Sequence, residues 1–250
     1  MIQLTDVSKI YGRHYALRSL NCSFAAGRTS VLIGPSGCGK STLLRLITGL
    51  IRADNGTVFF GDSVVSPHTV LQLRTRMGYV IQEGGLFPHL TAEGNVGLMA
   101  RYLGWQQDRI DERIQELANL TQFPHKGLSR YPAQLSGGQR QRVSLMRSLM
   151  LDPEVLLLDE PLGALDPMIR CDLQSDLKRI FQSLQKTVIL VTHDMSEAAF
   201  FGDVIYLLRE GRIVQRGTLE DLLRNPADPF VTRFINAQRS SLDIATGGGG

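Results

Sequence analysis

Residues 30–42 read Ser-Val-Leu-Ile-Gly-Pro-Ser-Gly-Cys-Gly-Lys-Ser-Thr: a short apolar run, a glycine-rich turn, then the opening of a helix. Strand, loop and helix in this order begin a βαβ unit with a parallel sheet. Gly34, Pro35, Ser36, Gly37, Cys38, Gly39, Lys40 and Ser41 fit the phosphate-loop pattern G-x-x-x-x-G-K-[ST]. Glycines permit the backbone angles that turn successive N–H groups inward, and the helix start adds partial positive charge. In this chemistry Lys40 reaches the β- and γ-phosphates, Ser41 binds Mg²⁺ through its hydroxyl, and Thr42 offers a second hydroxyl. Chance alone produces one such match in a chain of this size roughly once in a hundred.

Working outward, residues 155–160 read Val-Leu-Leu-Leu-Asp-Glu, a buried-type strand ending in two carboxylates. Successive strand side chains point opposite ways, so Asp159 is expected to hold Mg²⁺ and Glu160 to face the attacking water as general base. A solvated acidic turn is the plainer alternative. Residues 187–192 form another apolar strand followed by His193, at the strand end where open α/β sheets place ligands. There His193 is either a γ-phosphate sensor or a structural hydrogen-bonder. Residues 167–184 space Ile169, Leu173, Leu177, Ile180 and Leu184 as an amphipathic helix, and residues 40–50 form the helix after the phosphate loop. Residues 2–24 and 57–60 alternate apolar and polar, which predicts a smaller antiparallel sheet. From about residue 91 to 135 strand signals give way to helices, including residues 109–120. The end, from about Gln238 through four glycines, reads as a frayed tail.

The 250 residues suit one large domain, and a net charge of +3 is too weak to argue for nucleic acid. Three scattered cysteines, Cys22, Cys38 and Cys171, read as reduced thiols rather than a metal site. Cys38, beside a helix N-terminus, is expected to have a lowered pKa, so that a bulky thiol reagent blocks the loop and ATP protects it. No stretch reads as a signal peptide or a membrane span, so contact with a membrane is expected through a partner.

Residues 135–143, Leu-Ser-Gly-Gly-Gln-Arg-Gln-Arg-Val, resemble the signature sequence of ABC ATPases, and further pieces follow in that family's order. Gln82 in Tyr-Val-Ile-Gln-Glu resembles the Q-loop, residues 161–166 ending at Asp166 the D-loop, and His193 the switch histidine. Tyr11 sits where the family has an aromatic that stacks on adenine. The resemblance spans about residues 2–235 and implies an α/β P-loop NTPase of ABC type. It implies a RecA-like parallel sheet core with an N-terminal antiparallel β subdomain, and a helical subdomain inserted at about residues 91–150 of a single domain, 1–238. Residues 239–250 are then a flexible tail.

Ser136, Gly137, Gly138 and Gln139 open a helix and so form a second anion-binding N-terminus. One nucleotide does not need two phosphate cradles. The resemblance implies a head-to-tail pair of copies, each signature closing over the other's ATP. Arg140, Arg142 and Arg147 are then expected on a solvated or interface-facing basic side of that helix, with Val143, Leu145, Met146 and Leu149 inward. ATP and Mg²⁺ are the implied substrate and cofactor. A separate membrane permease is the implied partner, with a substrate-binding protein acting indirectly, no nucleic acid, and a peripheral place on the cytoplasmic face of the inner membrane. Phe87 and Leu86 are expected as apolar anchors for a permease helix. Residues 79–91 look most like ATPase subunits for quaternary-amine osmoprotectants, with amino-acid importers and lipid-trafficking systems as alternatives. Some of that group carry a regulatory module after the ATPase, which this chain is too short to hold. Soluble ABC ATPases acting on DNA or ribosomes need a long coiled coil or two cassettes, and neither pattern is present.

Overall fold

Alternation of apolar and polar residues at the N-terminus forms a long antiparallel hairpin in the computed structural model, which describes residues 1–82, 84–163 and 165–246. In chain order the elements are β1 (Ile2–Tyr11), β2 (His14–Phe24), β3 (Thr29–Ile33), α1 (Lys40–Ile47), β4 (Asn55–Phe60), β5 (Ser63–Val64), α2 (Val70–Arg74) and β6 (Met77–Val80). Then come α3 (Ala92–Tyr102), α4 (Gln107–Leu120), α5 (Gly137–Leu149), β7 (Val155–Asp159), α6 (Pro167–Leu184), β8 (Thr187–Val191) and α7 (Met195–Phe201). The chain closes with β9 (Val204–Arg209), β10 (Arg212–Gly217), α8 (Leu219–Arg224) and α9 (Pro229–Thr246). The backbone is divided between two compact units, residues 1–70 with 189–250, and residues 71–188.

In the first unit β1 pairs with β2 and β4, antiparallel, with Ile2 opposite both Phe24 and Phe60. Ile2, Leu4, Leu20, Cys22 and Phe24 are buried while Gln3, Asn21 and Ser23, the residues alternating with them, are exposed. The register shifts after Leu4, where Asp6 takes a positive φ and its N–H donates to Asn21 Oδ1 at 2.9 Å. β3 pairs parallel with β9, Ser30 opposite Val204 through Ile33 opposite Leu207, and β10 pairs antiparallel on the far side of β9. Every residue of β3 is buried, as a strand covered on both faces requires.

Helix α1 ends at Ile47, short of the expected residue 50. Gly49 adopts φ +64, and a side chain there would lie 2.4 Å from Val70 Cγ2, so the chain turns where the sequence pattern alone continues. At the other terminus α9 continues to Thr246, where a frayed tail from residue 239 was expected. The final glycines, 247–250, lie outside the described residues.

In the second unit β6 and β7 pair parallel, Met77 with Val155 through Val80 with Leu158. The expected helical stretch consists of α3, α4 and α5, which pack through Val96, Ile110, Ile114, Leu117, Val143 and Met146. Asp176 of α6 anchors this body, pairing with Arg142 and with Arg179, each at 2.6 Å. Gly78 shows how closely β6 is packed: a Cβ there would sit 2.5 Å from Ser148 O and 2.7 Å from Leu156 Cδ2. Gly78→Ala should therefore destabilise the fold by about 1–3 kcal/mol through overpacking. A melting temperature equal to the parent's would show that the β6–α5 contact yields freely.

Candidate functional site

Two close approaches shape the phosphate loop. Gly34 has φ +153, and a Cβ on it would stand 2.2 Å from Leu208 O. Gly39, the residue before α1, has φ +110 and would place a Cβ 2.4 Å from Ala16 O on β2. Gly37, at φ +76, has nothing within 4 Å, so the loop is tight on its protein side and open at its tip. Pro35, Ser36 and Gly37 are exposed there, while Ser41 and Thr42 are half-buried in the first turn of α1. This is a cradle that admits an anion and no side chain, with the N-terminus of α1 behind it. Lys40 is buried, and its Nζ donates to Gly34 O at 2.8 Å and Pro35 O at 3.1 Å. The ammonium thus lies curled onto the loop's own carbonyls.

Cys38 corrects the sequence expectation. Its side chain is buried, and burial raises the thiol pKa above the ordinary value; nearby Lys40 opposes this only in part. Desolvation outweighs the helix end because the thiolate would have to form out of contact with water. Cys38 is a packed loop residue, its Sγ within 2.9 Å of where a Gly34 Cβ would be.

His193 lies in the same unit, one residue beyond Thr192. Thr192 N–H donates to Leu32 O of β3 at 3.1 Å, which sets the end of β8 beside the strand that feeds the phosphate loop. The turn is fixed by Thr192 Oγ1, which donates to buried Glu197 at 2.6 Å and accepts from Asp194 N–H at 3.0 Å. Asp194 then caps α7 by accepting from Ser196 N–H. His193 itself is exposed. Tyr11 ends β1, half exposed, with Lys9 Nζ 5.4 Å from its ring centroid.

In the second unit, Gln82 and Glu160 come together: Gln82 Nε2 donates to Glu160 Oε2 at 3.5 Å. Asp159 is the last residue of β7 and is buried. Glu160 has left the strand with φ +47, a left-handed conformation unusual for a side chain other than glycine. The strand therefore ends at Asp159, and Glu160 belongs to the turn that follows it. Gly163 N–H closes the turn on Glu160 O at 3.2 Å. Glu83 and Ala164, inside the Q-loop-like and D-loop-like stretches, lie outside the described residues. Asp166 is the exposed cap residue of α6, its carbonyl accepting from Arg170 N–H at 2.8 Å.

Ser136 caps α5: its Oγ accepts from Gln139 N–H at 3.3 Å while Gln139 Oε1 accepts from Ser136 N–H at 3.1 Å. Gly138 has a packing reason as well, since a Cβ would lie 2.6 Å from Ile169 Cγ2 of α6. At Gly137 a Cβ would lie 3.2 Å from Leu165 Cδ2.

On α5 Val143, Leu145, Met146 and Leu149 are buried, and of the arginines expected on a solvated or interface-facing side Arg140 is exposed, while Arg142 and Arg147 are half-buried against neighbouring acceptors. Arg140 Nη1 donates to Leu135 O at 2.7 Å, Arg142 binds Asp176 and Thr121 O, and Arg147 donates to Gly84 O and Gly85 O, each at 2.9 Å. Each satisfies an acceptor that helix or strand geometry leaves open. Sequence reasoning also missed Asn95. Fully buried, it accepts from Phe87 N–H at 2.8 Å and donates to the carbonyls of Phe87, Leu90 and Thr91. No spacing rule marks such residues; an Asn at an apolar helix position was the only available signal. Phe87 keeps a half-exposed ring, and Leu86 is half-buried. Among the described residues no helix is long and apolar enough to cross a membrane.

Comparison with known proteins gives a consistent set of likenesses. A family model described as ABC transporter matches residues 17–163. The glycine betaine/carnitine/choline transport ATP-binding protein OpuCA of Bacillus subtilis (strain 168) is 43% identical over 240 residues, 96% of this chain and 63% of that protein. The glycine betaine uptake system ATP-binding protein YehX of Escherichia coli (strain K12) is 44% identical over 244 residues, 98% of this chain and 79% of that protein. Among solved structures, a dimeric post-hydrolysis state of the ATP-binding cassette MJ0796 bound to ADP and Pi matches with a TM-score of 0.79 and 33% identity. That match covers 88% of this chain and 99% of the other. The chain thus spans less than two thirds of the length of OpuCA.

The thiols supply a direct check on the loop's packing. Burial raises Cys22 to about 12 from an ordinary value of 9.0, and Cys38 is shifted the same way, whereas Cys171 is exposed. Near neutral pH a bulky aromatic disulfide reagent should label Cys171 rapidly and Cys22 and Cys38 only on unfolding. A raised thiol pKa favours the fold fully below pH 9 and ever less as pH climbs towards 12, so stability should fall across that window. Rapid native labelling of Cys38 would show the loop to be open at its base.

Proposed function

The chain belongs to the ABC transporter family, and from that membership we propose that it is the ATP-hydrolysing subunit of an importer. It works as a head-to-tail pair with a second copy, bound peripherally to a separate permease at the cytoplasmic face of the cell membrane. The observation that carries the reading is the glycine cradle at the head of α1, closed to side chains at Gly34 and Gly39 and open at Gly37.

ATP is the substrate. The N–H groups of Ser36, Gly37, Cys38 and Gly39 and the start of α1 bind its β- and γ-phosphates, with Pro35 shaping the turn, and Lys40 exchanges the carbonyls of Gly34 and Pro35 for phosphate oxygens. Tyr11 stacks on adenine. The oxygen donors of Ser41, Asp159 and Gln82 suit Mg²⁺, which supplies charge neutralisation at the phosphates when bound. Glu160 accepts a proton from the attacking water as its oxygen bonds to the γ-phosphorus and the bond to the β–γ bridging oxygen breaks, leaving ADP and phosphate. Gln82, already against Glu160, and His193, at the end of β8, orient that water. Ser136, Gly137, Gly138 and Gln139 close over the ATP of the second copy, with Asp166 at the junction. The dimeric cassette with ADP and Pi supports the pairing.

The cargo is a quaternary-amine osmoprotectant, delivered to the permease by a substrate-binding protein. The names of OpuCA and YehX support this.

Glu160→Gln is the test. The variant should bind ATP within about threefold of the parent, lose turnover by at least about a hundredfold, and accumulate as an ATP-bound dimer in light scattering. Unaltered turnover removes Glu160 from its role, and a parent chain that neither binds nor hydrolyses ATP sinks the ATPase reading. ATP-driven uptake of labelled glycine betaine by vesicles carrying the copurified permease tests the cargo; an absence of uptake refutes it.

A further inference from the structure

The backbone after Gln82 turns twice in a conformation that regular structure cannot satisfy. Gly84 and Gly85 have φ +77 and +54, and Gly84 N–H closes a turn on Ile81 O at 3.0 Å. A side chain at 85 would lie 2.1 Å from Ile81 Cδ1, so the chain there is folded back on itself at a position open only to glycine. Two consecutive left-handed residues aim their carbonyls away from any ladder. A glycine pair also gives the segment the greatest conformational freedom to lose.

Those carbonyls are gripped from α5. Ser144 Oγ, buried, donates to Gly84 O at 2.8 Å, and Arg147 donates one nitrogen to Gly84 O and another to Gly85 O, each at 2.9 Å. The guanidinium carbon also stands 5.8 Å from the Phe87 ring centroid. A planar fork spans two successive carbonyls and a ring at once, which a point charge on a flexible stem does not do. Burial lowers the Arg147 pKa from its ordinary value, the mark of a cation drawn out of water to reach these acceptors. Next along the chain, Asn95 of α3 clamps Phe87 through both its N–H and its carbonyl. Gln82 is thus followed by a loop fastened to the very helix whose first turn is the signature.

We propose that Arg147 is a positioning residue for Gln82: its grip on Gly84 and Gly85 keeps the Gln82 amide on Glu160 and ties the Phe87 segment to the signature helix. The proposal rests on the reading of the chain as a transporter ATPase. Hydrogen bonds from the charged fork hold the loop in the one shape that presents Gln82 to Glu160. Released, the glycine pair samples many others, and the orientation of the water is lost while the phosphate cradle stays intact. The deficit therefore falls on kcat and not on ATP binding.

The test compares Arg147→Met, which keeps the length without donors, and Arg147→Lys, which keeps the charge without the fork. In Arg147→Met, kcat for ATP should fall about tenfold with KM within about twofold of the parent, and amide exchange should quicken across residues 82–90. Exchange in α1 should stay unchanged, and Arg147→Lys should recover part of kcat. Unchanged kcat with unchanged exchange at 82–90 overturns the proposal, and so does an equal quickening in α1, which marks a merely structural residue. Should Arg147→Met fail to fold, Ser144→Ala, lacking one of two donors to Gly84 O, should quicken exchange at 82–90 and lower kcat about twofold; no change there also overturns it. A parent chain that hydrolyses no ATP sinks the ATPase reading alone, since the exchange comparison still decides the grip.

Discussion

The close approach of backbone to backbone around the phosphate loop is the constraint on which the rest of the first unit depends. Gly34 meets the carbonyl of Leu208, while Gly39 and Gly211 both meet Ala16 and Leu17 of β2. The contacts are sealed by hydrogen bonds from Gly211 N–H to Cys38 O and from Arg18 N–H to Gly211 O. A loop held between β9 and β2 in this way has little freedom left to lose when an anion enters it, which is the physical content of preorganisation. It also explains why the N-terminal hairpin is long: β2 must reach the base of α1, and Tyr11 and His14 lie beyond that contact, at the closed end of the hairpin.

What was legible in the sequence is what the backbone demands locally. A strand covered on both faces is buried throughout and carries a continuous apolar run, as β3, β7 and β8 do. A helix start needs a cap within three residues, so Ser136 and Gln139 stand in capping-box spacing. The order of phosphate loop, signature, acidic strand end and histidine survives because each piece solves such a local problem. The misread features depend on neighbours distant in sequence. The Cys38 thiol is shifted upward by burial that its helix-end position does not reveal. The early end of α1 depends on Val70, more than twenty residues on. Glu160 turns by a positive φ that no pattern of apolar residues encodes.

The basic residues of α5 are the fullest case. By composition the helix reads as cationic on one side, yet Arg140, Arg142 and Arg147 spend their donors on carbonyls of Leu135, Thr121, Gly84 and Gly85, with Asp176 as the acidic partner of Arg142. Arginine suits this because its five N–H groups can serve several acceptors and its charge persists when half buried. Loops that leave strands through left-handed glycines create such acceptors in numbers. A basic helix beside a glycine-rich loop is therefore as readily a scaffold for that loop as a surface for an anionic partner.

The two helix ends with anion-binding chemistry share one property. At α1 the Lys40 ammonium is occupied by Gly34 O and Pro35 O, and at α5 the Gln139 N–H is occupied by Ser136 Oγ at a long 3.3 Å. The buried Lys40 ammonium is not left bare, since an unpaired buried donor costs about 1–3 kcal/mol. An anion that binds the Lys40 ammonium or the Gln139 N–H must displace these internal acceptors, so part of its interaction energy goes into the exchange. What makes the exchange favourable is charge: a phosphate oxygen accepts more strongly than a neutral carbonyl or hydroxyl. The same physical cause thus favours fully charged oxygen acceptors over neutral ones at the Lys40 ammonium and at the Gln139 N–H alike.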